Sequence, residues 1–203
     1  LDRAENLAAA GDRGVLLLQR GLVYMRIGRE ADAVGVLGDA VAQLTGKPDE
    51  SANLATALLN RSFACLTLVR VNQARADLVW CLRIAGGAGH DLIAAKARHN
   101  LGYCDLLAGD IPAALQLFDA AAGAYRLSAP GFLLVLATDK ASALLAAGLA
   151  SDAARELDEA MATSRRQRLG QYLYLAEAQL ARAQAALAGG ELAAARRWAA
   201  AAG

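Results

Sequence analysis

The chain of 203 residues carries a formal net charge of +1; about a quarter of it is alanine, and only 5% is aromatic. So balanced a charge gives no electrostatic basis for binding nucleic acid or an anionic membrane surface, and no apolar run approaches the roughly 18–20 residues that cross a bilayer. Cys65, Cys81 and Cys104 are too few for a disulfide framework and sit in apolar settings, so they read as buried residues of a cytoplasmic protein.

Alanine and leucine are strong helix formers. With three prolines and no sustained period-2 alternation, the chain reads as all-α. Arginine outnumbers lysine 18 to 3, a bias typical of GC-rich bacterial genomes.

Residues 1–12 read as the tail of a preceding helix, with Leu1, Ala4, Leu7 and Ala8 on one face and Gly11-Asp12 turning the chain. An array over 13–203 follows, in units of about 13–49, 50–89, 90–129, 130–169 and 170–203. In the first, a helix over Arg13 to Ile27 carries Leu17, Gly21 and Tyr24 at i, i+4, i+7, and Gly28 ends it. The second starts at Ser51, an expected N-cap, and its turn at Arg70-Val71-Asn72 lacks glycine. The third turns at Gly109-Asp110 and restarts with Pro112 in the first helical turn. The fourth begins after Pro130-Gly131 and turns at Gly148; the fifth begins at Gly170 and turns at Gly189-Gly190.

A small residue marks every second helix: Ala33, Ala74, Ala114, Ala153 and Ala194, separated by 41, 40, 39 and 41 residues. Behind each lie residues at i+4 and i+7, as in Ala33/Leu37/Ala40, Ala74/Leu78/Cys81, Ala114/Phe118/Ala121, Ala153/Leu157/Ala160 and Ala194/Trp198/Ala201. A period near 40 with one hairpin per unit is the signature of a helical repeat protein.

Leu101-Gly102 with Ala114, Phe118 and Ala121, and Gly21 and Tyr24 with Ala33, Leu37 and Ala40, resemble the tetratricopeptide repeat. The period exceeds that family's usual 34 residues, and Asp105 stands where the family has tyrosine. Ala97 to Tyr103, Leu107 to Asp110 and Ala146 to Ala150 further resemble the repeats that precede the caspase-like CHAT protease domain of actinobacterial proteins. The resemblance implies a right-handed α-solenoid of about five hairpins, with first helices lining a concave groove that holds a peptide or a partner helix. The family's inner positions then fall on Asn60 and Phe63 in the second unit, Lys96, His99, Asn100 and Tyr103 in the third, and Asp139 in the fourth. Asn60 and Lys96 also match two positions of the clamps that hold a C-terminal carboxylate, while Leu18, Leu22 and Asn100 depart from that pattern.

Each of these residues has a plainer reading: Lys96 solvated on an open face, His99 hydrogen-bonded, Phe63 and Tyr103 in the core. Catalysis, a metal and a cofactor are not expected. His99 and Cys104 are five residues apart on one helix, about 140° around its axis, so they form no nucleophile–base pair. The chain therefore reads as a protein-interaction scaffold and not an enzyme. The alternatives are the sensing segment of a larger CHAT-type protease or transcriptional regulator, and self-association through the apolar last helix.

Overall fold

The computed structural model describes residues 13–167 and 172–203; the expected helix tail over 1–12 and the start of the fifth unit at Gly170 lie outside them. Among the described residues there are ten α-helices and no strand. They are α1 (Arg13–Arg26), α2 (Glu30–Leu44), α3 (Ser51–Thr67), α4 (Val71–Gly87), α5 (Asp91–Ala108), α6 (Ile111–Ser128), α7 (Phe132–Ala146), α8 (Ala150–Arg166), α9 (Tyr172–Ala188) and α10 (Leu192–Ala202). Two compact units form, Leu1–Cys104 and Asp105–Gly203, and α5 contributes residues to both.

One turn closes the first helix of all five described pairs, and Gly89 (φ 71°), with the His90 N–H on the Ala85 carbonyl at 2.9 Å, repeats it after α4. Just past the first helix of each pair a residue takes positive φ: Gly28 (72°), Val69 (57°), Gly109 (81°), Gly148 (77°) and Gly190 (80°). The next backbone N–H then bonds five residues back, Arg29 to Tyr24 at 2.9 Å, Arg70 to Cys65 at 2.7 Å, Asp110 to Asp105 at 2.9 Å, Leu149 to Leu144 at 2.8 Å and Glu191 to Ala186 at 2.8 Å. This closure satisfies carbonyls that the helix end leaves open. The turn expected at Arg70-Val71-Asn72 is thus centred two residues earlier, and Val69 does the glycine's work. Its branched Cβ is strained there, and at 77% exposure the side chain gains little packing in return. Val69→Gly is expected to raise the unfolding free energy by about 1 kcal/mol, visible as a higher urea midpoint with an unchanged slope.

Ser51 does not cap α3. It is the first helical residue, following a 3-10 turn at Pro48–Glu50, and Glu50 occupies the cap position without a side-chain bond to the helix backbone. Asp110 does cap α6, its carboxylate accepting from the Ala113 N–H at 3.2 Å, with Pro112 in the first turn.

In the first unit α1 packs on α2, α2 on α3, α3 on α4, and α1 also touches α3. Ala33, Leu37, Ala40, Ala74, Leu78 and Cys81 are fully buried, which is why the small-residue mark recurs. In the second unit α7 meets α6, α8 and α9, α9 also packs on α8, and α10 lies on α9. Its core joins Leu134, Ala137, Ala141, Leu144, Ala153, Leu157, Met161, Ala178, Ala181 and Ala185, with Trp198 packed against it. In α8 the third core position is Met161; Ala160, expected there, is only partly buried.

Candidate functional site

Lys96, His99, Asn100 and Tyr103 follow one another on α5 at i, i+3, i+4 and i+7, a stripe about 100° wide. Lys96, Asn100 and Tyr103 are half-buried, whereas His99 is only 6% exposed. The imidazole therefore stands behind this stripe rather than at its surface. Burial lowers the Lys96 ammonium below its ordinary pKa, because desolvation penalises the charged form.

On α3, Asn60 is half-buried and Phe63 one turn later is 53% exposed. An aromatic ring so open on a helix whose other face is packed is poor use of apolar surface unless something covers it. Six of the seven expected contact residues thus lie in the first unit, on α3 and α5. Ser51 Oγ, at the start of α3, is 3.3 Å from Nε2 of His90, the residue before α5. Asp139 lies on α7 in the second unit. There its carboxylate adds to the upward shift that burial imposes on the Tyr125 hydroxyl of α6.

The thiols are unsuited to nucleophilic chemistry. Cys65, Cys81 and Cys104 are free and buried. Burial, helped by Asp77, pushes Cys81 up to about 12, and its Sγ donates to the Ala55 carbonyl at 3.3 Å. Among the described residues no three histidine, cysteine or acidic side chains gather to hold a metal, and no helix is long and apolar enough to cross a membrane.

Two charged groups escaped the sequence reading. Arg61 of α3 grips Asp77 of α4 with both arms of its fork, Nε to Oδ2 at 2.8 Å and Nη2 to Oδ1 at 2.6 Å. Lys140 of α7 reaches Asp119 of α6 at 2.8 Å and Glu156 of α8 at 2.9 Å. Asp77 and Glu156 each follow their basic partner by sixteen residues, and Arg61 and Lys140 occupy the same repeat position two units apart. That spacing was the available signal. In the third unit the same positions hold Leu101 and Leu117.

Burial works against the Lys140 ammonium, but hydrogen bonds from it to Asp119 and Glu156 outweigh that and raise its pKa above the ordinary 10.5. A raised folded-state pKa contributes stability below the unfolded value, and the contribution is lost as pH rises through the folded one. Lys140→Met is therefore expected to lower the urea midpoint at about pH 7, and the gap from the parent chain should narrow as the pH is raised above the ordinary lysine value of 10.5.

No family model and no curated protein matches the sequence. Solved structures do match in shape. The nearly identical TPR-like repeats of a Podosopora anserina kinesin light chain are similar over 96% of this chain and 95% of that one, with a TM-score of 0.74 at 17% identity. A Rap protein complexed with competence and sporulation factor covers 97% of this chain at a TM-score of 0.78 and 17% identity, and this chain spans 54% of it. Aspartyl phosphate phosphatase F from Bacillus subtilis gives 0.79 at 14% identity, over 94% of this chain and 49% of that one. At these identities the likeness shows the fold: all-α, of the TPR-like solenoid class.

Proposed function

We propose that this chain is a protein-interaction scaffold that holds a peptide or protein segment along the first helices of its hairpins. Asn60, Phe63, Lys96, Asn100 and Tyr103 make the central contacts and His99 supports them from behind, while Asp139 is a candidate contact of the second unit taken by itself. The observation that carries this reading is Phe63, more than half exposed one turn from Asn60 in a unit whose other large side chains are mostly packed. A partner would cover the ring and gain its apolar area, while Asn60, Asn100 and Lys96 orient the backbone. A carboxylate beside Lys96 would also offset the desolvation that depresses its pKa.

The complex of a Rap protein with competence and sporulation factor supports peptide capture as a use to which this fold is put. The same face would serve if the array is the sensing segment of a larger CHAT-type protein or transcriptional regulator. Self-association would instead show as a concentration-dependent mass.

The test is a pull-down with the array as bait, followed by affinity measurements on the identified partner. Asn60→Ala and Lys96→Ala are each expected to weaken binding by about 1–3 kcal/mol without lowering the thermal midpoint. Unchanged affinity in the double variant would refute the assignment.

A further inference from the structure

Building on the scaffold reading, we infer that the first-helix face of the first unit takes a proline-rich segment in the polyproline II conformation, its carbonyls bonded by a row of three carboxamides and an acidic residue at its end meeting Lys96. Gln19 of α1, Asn60 of α3 and Asn100 of α5 each stand fourteen residues before the small residue that marks their hairpin, Ala33, Ala74 and Ala114. They share one register position on three successive first helices, all within the first unit. Gln19 is exposed, and Asn60 and Asn100 are half-buried. Among the described residues none of the three side chains is engaged in a hydrogen bond. Leu22, Phe63 and Tyr103 stand eleven residues before the same marks, and none of them is fully buried. An apolar row therefore runs one helical turn from the carboxamide row.

The three helices are neighbours. α1 touches α3, and Ser51 Oγ at the start of α3 lies 3.3 Å from His90 Nε2 just before α5. Packed helices stand about 8–10 Å apart, and a ligand crossing them must present the same group at about that step. An extended strand turns over at every residue, so contacts three residues apart, about 10 Å, fall on opposite faces. An α-helix returns to one face after two turns, about 10.8 Å, but its carbonyls are already bonded within the helix. A polyproline II helix returns to one face every three residues, about 9.3 Å, and its carbonyls are all open. Of these it alone offers each carboxamide an acceptor at the required step.

The flanking chemistry agrees. Proline rings suit an apolar row with aromatic members, as in other grooves that take such segments. Proline also lacks an N–H, so the amide NH2 of asparagine and glutamine is the donor its carbonyls need. Of the residues three or four positions from each carboxamide, Lys96 is the only charged one. An acidic residue at the α5 end of the segment complements it.

Titration calorimetry on the full chain tests this with three capped peptides of equal length. The first has nine prolines between two glutamates, the second nine prolines between two lysines, and the third a glycine–serine run between two glutamates. The first is expected to bind saturably and at least tenfold tighter than either of the others. Gln19 is exposed, so Gln19→Ala leaves the core intact and should weaken the first peptide several-fold. Gln73→Ala, on the exposed face of α4, should leave it unchanged, and Lys96→Ala should abolish the preference for glutamate over lysine ends. No saturable binding of the first peptide, equal binding of the glycine–serine peptide, or unchanged affinity in Gln19→Ala would overturn the proposal. If that happens while Asn60→Ala and Lys96→Ala still weaken the partner recovered by pull-down, the scaffold reading stands and the proline-rich partner falls.

Discussion

Arg61→Ala is expected to lower the unfolding free energy by about 2–4 kcal/mol. The Asp77 side chain is 6% exposed, and the two arms of Arg61 bond it across the α3–α4 seam. The hydrogen bond to Asp77 is the main reason the Arg61 guanidinium is raised above its ordinary pKa, outweighing desolvation. Truncating the arginine leaves the carboxylate buried and uncompensated, which is more unfavourable than the pair is favourable. The 17% exposure remaining on Arg61 lets water reach the gap and holds the effect below the extreme for such pairs. Arg61→Met with Asp77→Leu removes both charges and should recover most of the loss. Denaturant midpoints of the two single variants and the double variant check this; a double variant as unstable as Arg61→Ala would show that packing, not the buried charge, sets the effect.

Gly21→Ala is expected to destabilise the first hairpin by about 1–3 kcal/mol, and Gly21→Leu by more. A Cβ at Gly21 would lie 2.5 Å from both Cγ and Cδ2 of Leu37, and Leu37 is fully buried and cannot swing aside. Two turns earlier on the same α1 face, a Cβ at Gly14 would meet Leu44 at 2.8 Å. Two leucines of α2 thus press on α1 where it has no side chain. Gly35, exposed within α2, is the contrast, because a Cβ there meets nothing within 4 Å. Gly35→Ala should therefore stabilise by about 0.5–1 kcal/mol through helix propensity alone. Thermal melts of the pair should move in opposite directions.

The hairpins were legible because their signals are local. Glycine just past a helix and alanine five residues on is a pattern that short stretches carry in full. The fifth turn departs by one residue, with Gly190 four before the buried Ala194. The second turn was harder to place because its closure requires positive φ, and valine is the last residue that preference would choose. Ser51 has the residue type of a cap but does not act as one, because a 3-10 turn with Pro48 at its start takes up the residues before it. The Arg61–Asp77 and Lys140–Glu156 links escaped because each depends on two helices meeting in register, which composition and periodicity do not report. His99 shows the same limit at the proposed site: its helical position was readable, but its depth depends on what packs beside α5.

Photo-crosslinking bears most directly on capture along the first helices. A photoreactive phenylalanine would replace Phe63 in one chain and the exposed Gln73 of α4 in another, each presented to the partner recovered by pull-down. Binding on the first-helix face predicts efficient crosslinking from position 63, lost with Asn60→Ala and Lys96→Ala, and little from position 73. Crosslinking from position 73 with none from position 63 would contradict it.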